Sequence, residues 1–225
     1  MVNISKDKFC IKYFPTYGRG EALRIILSHV GANWEDKIIT ISEWMGGEKA
    51  KVQGGSLPVL EYYKNYEENT ENPDMILQES FAILIWLALN FKIYKEDDPL
   101  IVYQIHAIKG ICDDIAKCRI EWQHAKEEDR PKIAEKYRST SLPNLLNKLL
   151  SFKKMHNGDG KFLVGEKFSL ADIIGFTMIS HVQLNDMDII EKHAPELNSY
   201  HKNILEYSEG IRNYMDKRPK YDWKI

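Results

Sequence analysis

Residues Phe9-Cys10-Ile11-Lys12-Tyr13-Phe14 form a short apolar run with one interior cation, and the run stops at Pro15. Gly18 and Gly20 punctuate the turn that follows. From Glu21 to Val30 apolar residues recur at helical spacing, and Gly31 then offers a left-handed C-terminal cap. A strand over 9–14, a turn and a helix over 21–30 make a βα unit, which commits the start of the chain to an α/β sheet. Tyr13 falls near the carboxyl end of that strand, where open α/β sheets bind their ligands. The plainer alternative is a half-buried strand tyrosine whose hydroxyl meets water or a backbone carbonyl.

The alternation continues downstream. Residues 37–41 read as a second strand, 58–63 as a third and 75–77 as a very short fourth, before a helix over 80–90. The order is βαβ followed by ββα. Residues 66–74, Tyr-Glu-Glu-Asn-Thr-Glu-Asn-Pro-Asp, are polar and turn-rich and read as a lengthened hairpin loop. Past Tyr94-Lys95-Glu96-Asp97-Asp98-Pro99 the strand signals cease. Helical spacing then marks 100–125, 129–152 and 171–185, with Pro131 and Pro143 placed near helix starts or kinks. We therefore expect an α/β domain over 1–93, a linker at 94–98 and an all-α bundle over 99–225. Ser169-Leu170-Ala171-Asp172 reads as a capping box with Asp in place of Glu, a stabilising rather than a catalytic feature.

Composition removes several functional classes. With 31 basic against 33 acidic residues the net charge is −2, which gives no electrostatic case for nucleic acid or an anionic membrane. No apolar run approaches a bilayer span, and the first residues lack the basic-then-apolar order of a signal peptide, so a cytoplasmic location is expected. Cys10, Cys112 and Cys118 form neither a CxxC pair nor an even disulfide set. Cys10 reads as strand packing. The seven histidines are scattered without ligand spacing, so no metal is expected.

Four landmarks stand in one order. They are Tyr13-Phe14-Pro15 with Gly18-Arg19-Gly20; Trp34 to Ile41 and Trp44; Gly55-Ser56-Leu57-Pro58-Val59-Leu60; and Gln78-Glu79-Ser80. Together they resemble the cytosolic glutathione S-transferases, in the tyrosine-dependent branch that includes the pi, sigma and mu classes. The likeness runs on through Phe162 to Asp172 and as far as Lys217-Arg218-Pro219, nearly the whole chain. It implies a thioredoxin-like topology for the first domain and an α-helical second domain. It also implies glutathione as co-substrate with no further cofactor, small hydrophobic electrophiles as the other substrate, and a homodimer.

Glutathione carries two carboxylates, one ammonium and a thiol that is mostly protonated at neutral pH. A tyrosine hydroxyl that donates to the sulfur favours the thiolate, each pKa unit being worth about 1.4 kcal/mol. The resemblance assigns this to Tyr13. Leu57-Pro58 would adopt the cis form and offer the Leu57 backbone to the cysteinyl part, with Ser56 just before it. Glu79-Ser80 lies where a short strand meets a helix N-terminus, a site for the γ-glutamyl carboxylate, with Glu79 free to pair with the ammonium. Ser80 would also serve as the N-cap. By resemblance, Trp44 and Lys49 cover the glycyl carboxylate, Lys51 being a near-equal candidate. Asp114 matches a carboxylate that reaches the glutathione ammonium of a second subunit, and Asp113 could fill that role instead. Arg19 would brace the first helix and the site electrostatically.

Phe14, Tyr17, Tyr103 and Ile111 are the expected electrophile contacts, with Ile115, Tyr221 and Trp223 as further candidates. Val52 stands where pi-class relatives carry a reactive cysteine, so no thiol switch is expected. Two other readings use the same fold: a sigma-like prostaglandin isomerase working through the same thiolate, and a non-catalytic structural protein like the lens crystallins.

Overall fold

The structure is a computed structural model that describes residues 2–95 and 97–221, Gln53 by its backbone alone. Strands β1 (Lys8–Tyr13), β2 (Asn33–Ile38), β3 (Val59–Tyr63) and β4 (Met75–Leu77) form one sheet in the order β2-β1-β3-β4. β1 and β2 are parallel, as a helical crossover requires, and the remaining pairs are antiparallel. The crossover is α1 (Glu21–His29), and α4 (Ser80–Asn90) follows β4. Phe9, Ile11, Leu23, Ile26, Leu27, Leu60 and Leu87 are fully buried and make the core. The mixed βαβ-ββα sheet expected of a thioredoxin-like domain is present.

β2 begins four residues earlier than the apolar run 37–41 implied. It is an edge strand whose burial alternates, with Trp34, Asp36 and Ile38 turned inward and Asn33, Glu35 and Lys37 outward. The ladder from Lys8↔Asn33 to Tyr13↔Ile38 sets its register, and an inward aspartate there is tolerated because Arg24 meets it. The Ile39-Thr40-Ile41 run instead leads into helical turns α2 (Ile41–Glu43) and α3 (Lys49–Lys51). Thr40 caps α2: its hydroxyl accepts from the Glu43 N–H, and the Glu43 carboxylate accepts from the Thr40 N–H.

The chain divides into two units at Tyr94, but residues 208–221 cluster with the first unit rather than with the helices that precede them. The described residues from Pro99 to Lys217 carry helices and no strand, as expected of an all-α region, but α10 groups with the first unit. Helix α10 (Glu209–Lys217) packs on α1, and Gly210 sits so close to the Ser28 carbonyl that a Cβ there would lie 2.0 Å from its oxygen. Only a residue without a side chain permits that approach.

The second unit spans α5 (Pro99–His124), α6 (Arg130–Lys136), α7 (Leu142–Asn157), α8 (Leu170–His193) and α9 (Glu196–Tyr207). Asp98 caps α5 by accepting from the Leu100 and Ile101 amides. The helix expected over 129–152 is interrupted by a wide turn at Tyr137–Ser141, just before Pro143, whose ring cannot continue a regular ladder. Arg138 in that turn pairs with Asp186 and Asp188 and bonds the Asn185 carbonyl, and α8 leaves helical geometry at Asp186. At the head of α8, the Asp172 carboxylate accepts from the amides of Ser169 (2.9 Å) and Leu163 (2.8 Å) and from the hydroxyls of Ser169 (3.2 Å) and Tyr200 (3.0 Å). Among the described residues, no helix is long and apolar enough to cross a membrane.

Candidate active site

Sheet register brings distant sequence segments to one end of the first unit. Lys12 lies opposite Val59 and Leu60 opposite Leu77, so one step onward Tyr13 faces Pro58 and two steps bring Glu79 level with it. The Tyr13 carbonyl accepts from the Ile39 N–H at 2.8 Å, which places the exit of β2, and hence the turns carrying Trp44 and Lys49, at the same end. Tyr13, Leu57-Pro58, Glu79-Ser80 and the 40–55 segment therefore converge on the carboxyl edge of β1.

Tyr13 is 7% exposed. Its hydroxyl oxygen accepts from the Arg19 backbone N–H at 2.9 Å, which leaves the O–H proton free to be donated elsewhere. Burial pushes the phenol pKa up, while the Arg19 amide and the Arg19 and Arg24 charges pull it back, so at neutral pH it is a donor. The two glycines of the turn exist for this ring. A Cβ at Gly18, where φ is +38°, would lie 2.5 Å from the Tyr13 hydroxyl oxygen, and one at Gly20 would lie 2.6 Å from its Cδ1. The Gly-Arg-Gly spacing carried that signal, yet it reads in sequence only as a turn. Arg19 contributes its amide to the site, while its side chain is exposed.

Leu57-Pro58 is cis, as expected. Glu79 is exposed and holds φ +65°, a region few non-glycine residues occupy, at the N-terminus of α4. It, not Ser80, is the N-cap residue: Ser80 is already the first helical position, and no side chain caps this helix. Its first amides thus face a place where an anion could accept from them. Trp44 is buried, edge-on to Phe14 at 5.6 Å, and Phe14 lies 5.7 Å from the Tyr13 ring. The exposed Lys49 runs along Gly55, its Cε 3.3 Å from where a Cβ would stand, whereas Lys51 is paired with Glu48 at 2.6 Å. Ser56 is exposed next to Leu57.

Tyr17 does not open onto free space. It is 3% exposed; its hydroxyl donates to the Pro219 carbonyl (3.2 Å) and accepts from the Tyr221 N–H (3.3 Å), and its ring meets that of Tyr221. Trp223 lies outside the described residues. In the second unit, Asp113 is engaged by Lys109 at 2.5 Å and Asp114 more loosely by Lys148 at 3.5 Å. Tyr103 is 57% exposed on α5, while Ile111 and Ile115 are buried there. Cys10 is buried in β1 with its thiol pushed up to about 12, an inert packing residue. Among the described residues no cluster of three His, Cys, Asp or Glu side chains could hold a metal ion.

Arg24 went unnoticed in the sequence. It is 1% exposed, forks onto Asp36 through Nε (2.9 Å) and Nη2 (3.3 Å), and donates through Nη1 to Glu21 (3.1 Å) and the Thr16 carbonyl (2.9 Å). A Glu-x-x-Arg pair inside an otherwise apolar helix was the available sign.

Residues 113–218 match the family model described as "Glutathione S-transferase, C-terminal domain". A glutathione S-transferase class-mu 28 kDa isozyme of Schistosoma mansoni is 27% identical over 207 residues, covering 92% of this chain and 94% of that protein. The solved sigma class GST of Fasciola hepatica superposes with a TM-score of 0.81 at 27% identity, covering 96% of this chain and 99% of the other. A prostaglandin synthase D of Nilaparvata lugens shares the fold with a TM-score of 0.79 at 21% identity, over 95% of this chain and all of the other (100%).

Proposed function

We propose that this chain is a glutathione S-transferase, as its likeness to that family supports, and that it ionises the thiol of glutathione at Tyr13 and transfers the resulting thiolate to small apolar electrophiles. The observation that carries this reading is the state of the Tyr13 hydroxyl: its oxygen accepts from the Arg19 amide, which leaves the O–H to donate. Such a group stabilises a thiolate more than a thiol, because a donor hydrogen-bonds the charged sulfur more strongly. The amide behind it polarises the O–H bond and strengthens that donation. The thiol proton leaves to solvent, and the sulfur then forms its bond to carbon as the electrophile gives up a leaving group or takes a proton.

The remaining assignments follow from glutathione's charges. The α4 amides and Ser80 suit the γ-glutamyl carboxylate, and Glu79 suits the ammonium beside it. The backbone of Leu57 would pair with the cysteinyl unit as an added strand, with Ser56 at its edge and Pro58 setting the bend. Lys49, held along Gly55, suits the glycyl carboxylate better than Lys51, which Glu48 already occupies. Trp44 packs behind this position. Phe14, beside Tyr13, is our choice for contact with the electrophile; Tyr17, buried and with its hydroxyl engaged by Pro219 and Tyr221, is not. Asp114 has a ligand role only in a two-fold dimer, which we also propose; sedimentation should then give twice 26.3 kDa.

Tyr13→Phe tests the reading. Glutathione affinity by calorimetry should stay nearly constant, while turnover falls by about one to two orders of magnitude, the worth of one charge-assisted hydrogen bond of roughly 1.5–3 kcal/mol. The thiol pKa of bound glutathione should rise with it. A wild-type protein that binds no glutathione at millimolar concentration overturns the proposal, and an electrophile panel identifies the second substrate.

A further inference from the structure

The Lys217-Arg218-Pro219 motif has no part in the site described so far, yet its arginine is tied to the tyrosine by a short chain of bonds inside the first unit. Arg218 Nη1 donates to Glu21 at 2.5 Å. Glu21 is fully buried and also accepts from Tyr214 (2.9 Å) and from Arg24 Nη1 (3.1 Å). The same Arg24 nitrogen holds the Thr16 carbonyl at 2.9 Å, inside the 14–19 loop. That loop ends at Arg19, whose amide bonds the Tyr13 hydroxyl. A second route is shorter: the Arg218 guanidinium lies 4.4 Å over the Tyr17 ring, and the Pro219 carbonyl accepts from the Tyr17 hydroxyl. Both routes arrive on the loop from the C-terminal segment, and both pass through buried side chains, Glu21 and Arg24 on the first and Tyr17 on the second.

We propose that Arg218 is a positioning residue for Tyr13: through Glu21 and Arg24, and through Tyr17, it fixes the 14–19 loop so that the Arg19 amide stays on the phenol oxygen. The inference rests on the thiol-activating reading of Tyr13. It makes the last helix a working part of the site at the far end of the chain. Arg218 touches no substrate in this scheme; its effect is felt as the donor strength of another residue.

Arg218→Met keeps the side-chain length and removes the charge and the donor. With glutathione bound, it should raise the apparent thiol pKa, read by thiolate absorbance, and lower kcat about tenfold, the loss expected when one hydrogen bond slackens, with KM for glutathione changing less than about twofold. Arg218→Lys, which can still donate to Glu21, should restore part of both. In a Tyr13→Phe background the same substitution should leave the thiol pKa where Tyr13→Phe alone puts it, because the relay then has nothing to act upon. Equal shifts in both backgrounds, or a loss of stability with no change in thiol pKa, overturn the proposal.

Amide exchange separates this inference from its parent. Without any glutathione, Arg218→Met, or Glu21→Gln should the Met variant fail to fold, should speed exchange of the Arg19 amide about tenfold and leave the β1 amides unchanged. If the wild type binds no glutathione but Arg19 exchange responds, the function is wrong and the relay stands. If the wild type conjugates glutathione and Arg19 exchange does not respond, the relay is wrong.

Discussion

Each unit buries a carboxylate beyond the reach of water, and Glu21 in the first is satisfied differently from Asp172 in the second. In the first unit Glu21 and Asp36 are met by full charges, Arg24 between them and Arg218 on the far side of Glu21. In the second, Asp172 is met only by neutral donors: two amides and two hydroxyls. Charge against charge offsets the cost of burial by pairing but makes every member depend on the others. Neutral donors leave the desolvation cost partly uncompensated, and burial accordingly pushes the Asp172 carboxyl up to about 6 against hydrogen bonds that pull it down. The first arrangement is built to hold a loop in place, and the second to start a helix.

Breaking the charged network should have the largest effect. Arg24→Met leaves Glu21 with one remaining cation and Asp36 with none, and should cost about 3–5 kcal/mol in urea unfolding. A cost below about 1 kcal/mol would mean that water reaches the site and that the contrast between the units is false.

Asp172→Asn should cost less, about 1–3 kcal/mol, because an amide retains one acceptor but turns a donor toward the Leu163 or Ser169 amide. The contrast sharpens with pH. A carboxyl whose folded pKa is raised from 3.8 to about 6 contributes stability that is full below about pH 4 and lost as pH rises through 6. The lead of the wild type over Asp172→Asn should therefore shrink between pH 4 and 7. A lead that grows over that range would show that the hydrogen bonds outweigh burial.

Lys51→Ala, which removes the exposed partner of Glu48, should change stability by less than about 0.5 kcal/mol. A larger loss would show that surface pairs in this protein behave like the buried network.

Legibility followed sequence distance. The helix over Ser80–Asn90 and the strand Met75–Leu77 have the bounds that periodicity gave them, since their patterns are local. Tyr13 was visible because an apolar run ending at a proline turn is a local signal too. Arg24 was not, because its partners are a loop carbonyl, an edge-strand aspartate and, through Glu21, an arginine nearly two hundred residues away. The surroundings of Tyr17 were hidden for the same reason: the C-terminal segment bonded to its hydroxyl lies about two hundred residues away along the chain.

The sequence alone determined the alternation of strand and helix, the change to helix after Tyr94, the tyrosine at a strand end and the glycine-punctuated turn after it, all of which rest on short-range sterics and on burial of a repeating apolar face. Only the tertiary structure decided which groups surround Tyr13, where β2 begins, and that the last helix returns to the first unit. Those depend on strand register and on the pairing of buried charges, and a buried charge is placed by whichever partner the fold brings within hydrogen-bonding reach, however far along the chain that partner lies.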